Sequence, residues 1–214
     1  MKGFYKVLHR VFAAPLRWIF NVRLEGRDNE PSADCAFLIC SNHISAWDAV
    51  WLYAALKHHK PHFMSKAEIF KIPVLNSIVR FFGAYPVERG GADVASVRYT
   101  VELLKRGDCV GMFPQGTRCP GKDPSKTSVK SGAGMIAVRS QAPVLPVYIQ
   151  TENHKYSLFG RKTIIIGKLI PNQVIEEMHL SHQTYNNISR YIFDEICSLN
   201  GEISSKTEGN ELDE

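Results

Sequence analysis

The stretch of sequence that decides the fold is residues 36–48, AFLICSNHISAWD. It begins with five apolar residues, Ala36 to Cys40, which have the length and composition of a buried β-strand. Polar residues follow without a gap, and a helical pattern starts near Ser45. A buried strand that leads directly into a helix is typical of an α/β domain, and it places His43 where a side chain can face a cleft instead of the core.

Strands and helices alternate along the rest of the chain. Strand-like stretches cover residues 84–87, 109–113, 144–149 and 163–166, and helical patterns cover 69–79, 94–104, a Gly-rich start at 132–134, and 185–199, with Gly201 as the expected stop. This alternation predicts a largely parallel, twisted α/β sheet flanked by helices. Because ligands on such sheets bind outside the carboxyl ends of the strands, we expect the functional residues there.

Length and composition indicate one domain. The chain has 214 residues, 44% of them apolar, and we assign the α/β domain to residues 28–200. The five cysteines are odd in number and lack CxxC spacing, so neither a disulfide framework nor a zinc site is indicated. We therefore expect no metal in the site and a reducing, cytosolic environment.

The N-terminal segment, residues 1–27, is basic and amphipathic. It holds six Lys or Arg against one Glu, and its apolar residues recur every three or four positions up to Pro15, after which a Trp-containing apolar stretch follows. Such a segment suits an anionic membrane surface, where apolar side chains enter the acyl boundary and basic ones meet the headgroups. The alternative is an N-terminal helix that packs on its own domain.

The remaining features of the ends concern location. Residues 201–214 are acidic and polar, and we expect a disordered tail. No window approaches the roughly 20 apolar residues of a membrane-spanning helix, and basic residues interrupt the N-terminal apolar stretch too often for a signal peptide. We expect a peripheral protein on the cytoplasmic face of a membrane, with no nucleic-acid partner.

The first chemical constellation is the pair His43 and Asp48. An imidazole can take a proton from a hydroxyl near neutral pH, and a carboxylate five residues later could orient the ring and stabilise its cation. A structural alternative exists for Asp48, because Ser45 and Asp48 also fit an acidic capping box at a helix N-terminus. The two roles are compatible, since a carboxylate in the first turn also offsets the helix dipole.

Two arginines follow strand ends farther along the chain. Arg89 comes just after the strand-like residues 84–87, and Arg118 belongs to the turn FPQGTR at residues 113–118. A guanidinium at such a place can clamp a phosphate with its planar fork, helped by backbone amides beside a glycine. The alternatives are a solvated surface pair of Glu88 with Arg89 and an ordinary Pro/Gly turn with an exposed Arg118.

Taken together, these motifs resemble the glycerolipid acyltransferase family, the 1-acylglycerol-3-phosphate acyltransferases and their relatives. That family shows NHxxxxD, GxxxVxR, FPEGTRS and VxPV blocks in this order. Here they stand as NHISAWD at 42–48, GAYPVER at 83–89, FPQGTRC at 113–119 and VLPV at 144–147. The resemblance spans roughly residues 36 to 150, and the order of four blocks makes it specific.

The resemblance implies transfer of an acyl group from acyl-CoA or acyl carrier protein to the free hydroxyl of lysophosphatidate, giving phosphatidate. It implies His43 as general base, Asp48 as its partner, and a set of substrate-binding residues, with no cofactor because the thioester is already activated. The set comprises Arg89, Arg118, Gln115, Gly116, Thr117 and Lys66.

Two departures from the family pattern bear on the acceptor. Gln115 stands where the family usually has Glu, and Cys119 stands where it usually has Ser. Glutamine keeps a hydrogen-bonding carbonyl but lacks the negative charge. Within the same chemistry, the alternative acceptor is glycerol 3-phosphate or another lysolipid.

Two further classes remain as alternatives. One is a metal-dependent hydrolase using the clustered His58, His59 and His62, although flanking lysines suit a solvated basic loop. The other is a lipid-binding module without catalysis, which the presence of both His43 and Asp48 disfavours.

Overall fold

The computed structural model describes residues 15–81, 83–87 and 94–210. The seven strands are β1 (Val22–Glu25), β2 (Leu38–Ser41), β3 (Pro61–Lys66), β4 (Ala84–Val87), β5 (Cys109–Met112), β6 (Val144–Thr151) and β7 (Lys162–Ile166). The helices are α1 (Asp48–Ala55), α2 (Pro73–Phe81), α3 (Val94–Lys105), α4 (Gly132–Ser140), α5 (Asn172–Leu180) and α6 (Tyr185–Asn210).

All seven strands form a single mixed sheet in the order β1-β7-β6-β2-β5-β3-β4. Strands β2 to β6 run parallel, β7 pairs antiparallel with β6, and β1 runs parallel to β7. The predicted α/β fold with a mostly parallel sheet flanked by helices is therefore confirmed. Since β2 and β5 are neighbours, the residues that follow Ser41 and Met112 lie side by side at one edge of the sheet.

Apolar side chains fill both faces of the sheet. On one face, Ile136 of α4 and Ile192 and Phe193 of α6 are fully buried in a cluster with residues of the central strands. On the other face, Trp51 and Leu52 of α1 pack in a second cluster with Phe37 and strands β2, β6 and β7. All four residues of β2 are buried, as expected of a strand covered on both faces, and three of the four are apolar.

Residues 15–25 join the N-terminal segment to the sheet. Residues 15–19 are helical, and Val22–Glu25, which we assigned to the membrane segment, forms the edge strand β1. Leu16 and Phe20 pack against the apolar cluster beneath α1. The structure thus moves the start of the α/β domain ahead of residue 28, while the predicted amphipathic helix of residues 1–14 lies outside the described residues.

The chain end also differs from expectation. Helix α6 continues through Gly201 to Asn210, so the predicted stop at Gly201 is wrong. A glycine in a helix costs about 1 kcal/mol relative to alanine, which weakens the helix without ending it. Residues 201–210 of the predicted disordered tail lie in this helix, and 211–214 lie outside the described residues. Among the described helices, none is long and apolar enough to cross a membrane.

Candidate active site

The site is built where the chain leaves β2. Asn42, the first residue after the strand, is buried and bonds the backbone of Ile149 in β6 in both directions: its Nδ2 donates to the carbonyl at 2.9 Å and its Oδ1 accepts from the N–H at 2.7 Å. The Asn42 side chain thereby takes the place of the backbone hydrogen bonds that one more residue of β2 would make with β6. The backbone is free to turn away from the sheet, and His43 emerges at the carboxyl edge.

His43 and Asp48 meet as the sequence predicts. The imidazole Nδ1 lies 2.7 Å from Asp48 Oδ2, with side-chain exposures of 16% for the histidine and 2% for the aspartate. The same Oδ2 accepts the backbone N–H groups of Ile44 at 2.6 Å and Ser45 at 2.8 Å. A carboxylate oxygen can only accept hydrogen bonds, so the Nδ1 that contacts it carries the proton and Nε2 of the neutral ring carries the free lone pair.

The capping role of Asp48 is present in part. Its carboxylate reaches back to the Ser45 N–H as in a capping box, but Ser45 Oγ accepts from Trp47 N at 3.2 Å instead of from residue 48. Helix α1 consequently begins at Asp48 and not near Ser45. One carboxylate oxygen therefore both orders the turn at residues 44–47 and orients the imidazole. The capping role and the histidine-orienting role of Asp48 are thus compatible, as the sequence predicts.

An aromatic platform supports the histidine from the face of its ring. Phe113, the first residue after β5, stacks on His43 with ring centroids 3.9 Å apart and planes inclined by 9°. Phe63 of β3 stands next in line, 6.2 Å from the Phe113 centroid. The neighbouring position on β5 is Gly111, where an added Cβ would lie 2.1 Å from Phe63 Cε1. The glycine is needed because the Phe63 ring crosses its backbone.

Gln115 contacts the backbone of His43 and is only 2% exposed. Its Oε1 accepts the backbone N–H of His43 at 2.7 Å, and its Nε2 donates to Thr127 Oγ1 at 2.7 Å. Cys119 N–H donates to the His43 carbonyl at 2.8 Å. Both polar ends of the Gln115 side chain are thus engaged within the protein.

Four other predicted substrate ligands, Gly116, Thr117, Arg118 and Lys66, lie at the same edge of the sheet. Gly116, Thr117 and Arg118 are exposed in the connection between β5 and α4, which we term the β5–α4 loop (residues 113–131). Within the described part of the chain, no ion pair engages Arg118. Lys66 is the exposed last residue of β3, two strands from β2. Arg89 lies outside the described residues.

Lys130 is a cation at this edge that sequence reasoning missed. Gly116 adopts a left-handed backbone with φ of 67°, and a Cβ there would lie 2.8 Å from Lys130 Cδ, so the lysine side chain runs across the glycine. The N–H of Lys130 donates to the Pro114 carbonyl at 2.9 Å, which closes the loop on itself. The feature of the sequence that could have identified Lys130 is its position just before the Gly-rich start of α4.

A second missed feature is an exposed aromatic surface beside the site. Phe20 stacks on Phe159 with centroids 5.9 Å apart and approaches Trp47 at 6.5 Å. Phe159 is 65% exposed and Trp47 42%, and Phe20, Trp47 and Phe159 form what we term the aromatic surface; Trp18, 86% exposed, is a further exposed aromatic side chain in the preceding segment. Trp47 directly precedes Asp48, so this surface borders the pair His43 and Asp48.

Lys162 holds the two segments of the aromatic surface together. Its side chain is 1% exposed, and Nζ donates to the carbonyls of Phe20 at 3.1 Å, Leu158 at 2.9 Å and Gly160 at 2.7 Å. The ammonium also lies 5.7 Å from the Trp51 ring centroid. Burial lowers the pKa of Lys162. Sequence offered no signal for this lysine, because its partners are backbone carbonyls, and one of them, Phe20, is 142 residues away along the chain.

The clustered histidines serve other contacts. His59 Nδ1 lies 3.0 Å from Glu30 Oε1, and His62 Nδ1 lies 3.1 Å from the Gly83 carbonyl. Glu30 also accepts the backbone N–H of His58 at 2.8 Å. In the described ranges, no three His, Cys, Asp or Glu side chains form a group that could hold a metal ion.

Comparison with known proteins agrees with this geometry. The family model described as Acyltransferase matches residues 21–150, more than half of the chain. The chain belongs to the acyltransferase family. A 1-acyl-sn-glycerol-3-phosphate acyltransferase of Bacillus subtilis is 32% identical to this acyltransferase over 149 residues, which cover 69% of this chain and 72% of the relative.

Two more relatives and one solved structure extend the comparison. The enzymes of the same name from Streptococcus pneumoniae and from the chloroplast of Arabidopsis thaliana are 29% and 35% identical over 59% and 60% of this chain. The matched region spans 46% and 35% of their lengths. The crystal structure of the 1-acyl-sn-glycerophosphate acyltransferase PlsC from Thermotoga maritima superposes with a TM-score of 0.66 at 26% identity, covering 91% of this chain and 80% of that one.

Proposed function

We propose that this enzyme transfers a fatty acyl group from a thioester, acyl-CoA or acyl carrier protein, to the free hydroxyl of 1-acylglycerol 3-phosphate, giving phosphatidate. The observation that carries the proposal is the 2.7 Å contact between His43 Nδ1 and Asp48 Oδ2 at the edge of the sheet that also carries Arg118. The names of the relatives from Bacillus and Streptococcus support lysophosphatidate as the acceptor.

The chemistry follows from the orientation of the imidazole. Asp48 holds Nδ1, so Nε2 takes the proton of the acceptor hydroxyl as the oxygen attacks the thioester carbonyl. The tetrahedral intermediate expels the thiolate, the ester C–O bond remains, and the imidazolium returns its proton to the leaving sulfur. Asp48 stabilises the imidazolium while it exists. No cofactor and no covalent acyl-enzyme are required, because the thioester is already activated.

The acceptor phosphate is proposed to bind at the exposed cations near His43. Arg118 supplies a planar fork and Lys130 a point charge, while the left-handed turn at Gly116 brings the Lys130 side chain across the loop. Lys66 and Arg89 are proposed to complete the set. Gln115 is buried, and both polar ends of its side chain bond within the protein.

The membrane surface is proposed to meet the aromatic surface and the basic N-terminal segment together. Phe159 and Trp47, both exposed, pack against Phe20, and Trp47 directly precedes Asp48. Aromatic side chains favour the headgroup boundary, and exposed basic residues such as Arg23 would meet anionic lipid. A lipid acceptor could then reach His43 from the surface that the enzyme rests on, at the cytoplasmic face.

The deciding experiment is an acyl-transfer assay over a panel of acceptors. Phosphatidate and free thiol are measured with lysophosphatidate, glycerol 3-phosphate and lysophosphatidylcholine, using the wild type, His43→Ala, and His179→Ala as a control for an exposed histidine on α5. We expect lysophosphatidate-dependent product in the wild type and the control, and none with His43→Ala. Faster use of glycerol 3-phosphate would favour the alternative acceptor, and no acceptor-dependent thiol release would indicate a lipid-binding module.

A further inference from the structure

Both backbone polar groups of His43 bond to the β5–α4 loop. The N–H of His43 donates to Gln115 Oε1 at 2.7 Å, and its carbonyl accepts from Cys119 N–H at 2.8 Å. Arg118 lies between these two positions in the same loop. The peptide of the proposed base is therefore held from both sides by the segment that carries the proposed phosphate ligand.

The contact through Gln115 continues as a directional chain of hydrogen bonds. The His43 N–H can only donate, so it fixes the amide oxygen of Gln115 toward itself and the amide nitrogen toward Thr127. Gln115 Nε2 donates to Thr127 Oγ1 at 2.7 Å, and the Thr127 hydroxyl donates to the Pro124 carbonyl at 2.6 Å. Each group acts in the one polarity that this chain of bonds permits.

We propose that Gln115 and Thr127 are positioning residues that set the place of the His43 imidazole relative to the phosphate-binding part of the β5–α4 loop. The inference rests on the proposed roles of His43 and Arg118. Thr127 is itself anchored, since its carbonyl accepts from Arg190 of α6 at 3.3 Å. The relay thus connects the catalytic peptide to a helix packed on the sheet.

The amide at position 115 and the hydroxyl at 127 belong together. A carboxylate at 115, the residue usual in the family pattern, could still accept from the His43 N–H. It could not donate to Thr127, however, and the single Thr127 proton would then have to turn from Pro124 to the carboxylate. The departure from the family pattern at Gln115 is therefore matched by the contacts of Thr127 in this chain.

The test compares Thr127→Val, Thr127→Ser and Thr100→Val. Thr100 is the matched control, because its buried hydroxyl also makes two hydrogen bonds, to the Ser96 carbonyl at 2.7 Å and to the Tyr85 hydroxyl at 2.6 Å, outside the site. A misplaced base lowers kcat, so we expect Thr127→Val to lose about tenfold or more in kcat. The thioester KM should stay within about twofold, and Thr127→Ser should recover most of kcat because the hydroxyl returns.

The outcomes separate positioning from stability and from the function itself. Melting temperatures of all variants show whether Thr127→Val and Thr100→Val are equally folded. Equal kcat for these two variants, or a loss with Thr127→Ser as large as with Thr127→Val, would overturn the proposal. Activity retained by His43→Ala would instead overturn the proposed function.

A second variant covers the case in which Thr127→Val does not fold. Gln115→Glu keeps the size of the side chain and the acceptor for His43 N–H, and it replaces the donor toward Thr127 with a negatively charged oxygen. We expect kcat to fall by about fivefold or more at an unchanged thioester KM, since the relay loses one bond. A kcat within about twofold of wild type would contradict the positioning role.

Discussion

The imidazole of His43 and the ring of Phe113 lie face to face, 3.9 Å apart between centroids and 9° from parallel. Asp48 holds the same imidazole at its edge through Nδ1. The ring is therefore fixed in two directions, by an ionic hydrogen bond in its plane and by aromatic packing on its face. A general base needs this restraint, because its nitrogen must face the acceptor hydroxyl within hydrogen-bonding reach.

The platform under His43 depends on Gly111. In Gly111→Ala the new Cβ would meet the buried ring of Phe63, which stands next to Phe113. We expect a loss of about 1–3 kcal/mol in the free energy of unfolding, as for other overpacked cores, together with a lower kcat. Thermal unfolding and steady-state kinetics measure both.

Gly201→Ala is the matched control for this substitution. Gly201 lies in α6 with nothing within 4 Å of an added Cβ, so its replacement should leave kcat unchanged and gain up to about 1 kcal/mol of helix stability. A Gly111→Ala enzyme with the stability and kcat of wild type would show that the Phe63 ring can move without disturbing the site.

The two roles of Asp48 are separable by mutation. Asp48→Asn keeps an oxygen that can occupy the Oδ2 position, but it removes the negative charge that stabilises the imidazolium. We therefore expect kcat to fall by about 10²–10⁴-fold. The accompanying stability loss should be near 1 kcal/mol. Asp48→Ala also leaves the Ile44 and Ser45 N–H groups without this acceptor, at a cost of about 1–3 kcal/mol for each buried donor.

Urea unfolding and kcat of both Asp48 variants check this prediction. If Asp48→Asn kept kcat within about threefold of wild type, the negative charge would not serve the imidazole and only the turn-ordering role would remain.

Sequence reasoning succeeded where a local pattern decides the structure. The apolar run before His43 and the five-residue spacing to Asp48 place both groups within one turn, so no distant contact is needed to bring them together. It failed for β1, because Val22–Glu25 alternates apolar and charged residues over only four positions and follows a basic apolar stretch. That strand exists because β7 supplies its hydrogen-bonding partner.

The same distinction applies within the site. The inward orientation of Gln115 depends on Thr127, twelve residues away, and the burial of Lys162 depends on the Phe20 carbonyl, 142 residues away. Neither contact has a signature in periodicity or in a motif. Such contacts are decided by tertiary packing, and motif spacing alone does not encode them.

The exposed cations near His43 should govern the acceptor more than the thioester. We expect Arg118→Ala and Lys130→Ala to raise KM for lysophosphatidate by about tenfold, because a charge-assisted contact of roughly 1.5–3 kcal/mol is lost. The thioester KM should change little. Arg118→Lys should recover only part of the loss, since a point charge cannot reproduce the bidentate fork.

Arg106→Ala serves as the control for loss of a surface cation. Arg106 is 65% exposed beside Glu102. It lies between the end of α3 and the start of β5, at the edge of the sheet opposite the site. Its removal should leave both KM values unchanged. An unchanged lysophosphatidate KM in the Arg118 and Lys130 variants would refute the phosphate-binding role of these residues.

Acid stability should depend on Glu30. Burial alone would raise its pKa, but hydrogen bonds from His59 and from the backbone of His58 and Lys57 outweigh it and lower the pKa below the ordinary value of 4.5. A depressed folded-state pKa contributes stability that is present above the unfolded value and is lost as the pH falls through the folded value. We expect Glu30→Gln to lower the melting temperature at pH 7.

The pH profile of unfolding distinguishes this cause from a general packing defect. The difference in melting temperature between wild type and Glu30→Gln should shrink as the pH falls below about 4.5, where the carboxylate becomes protonated in the unfolded and then the folded chain. A difference that stayed constant down to pH 3 would assign the loss to packing and not to the charge.

The aromatic surface should determine binding to membranes. Phe159→Ser removes an exposed side chain of the aromatic surface, and Trp18→Ser removes an exposed aromatic side chain of the N-terminal segment. Inserting such a side chain in the lipid boundary is worth about 1.5–3 kcal/mol, so each substitution should weaken binding to anionic vesicles by about tenfold or more. Leu180→Ser is the matched control, since Leu180 is an exposed apolar residue on α5, away from the aromatic surface, and its loss should leave binding unchanged.

Co-sedimentation with phosphatidylglycerol-containing vesicles measures the affinity, and turnover is compared between vesicle-presented and detergent-dispersed lysophosphatidate. The two aromatic variants should be slow on vesicles and near normal in detergent, because His43 and Asp48 are unchanged.

Deleting residues 1–14, which leaves β1 intact, should cause a further loss of vesicle affinity. This loss should depend on salt concentration, because the deletion removes basic residues. If Phe159→Ser bound vesicles as tightly as wild type, or if Leu180→Ser lost as much affinity, the enzyme would have to rest on the membrane through another surface.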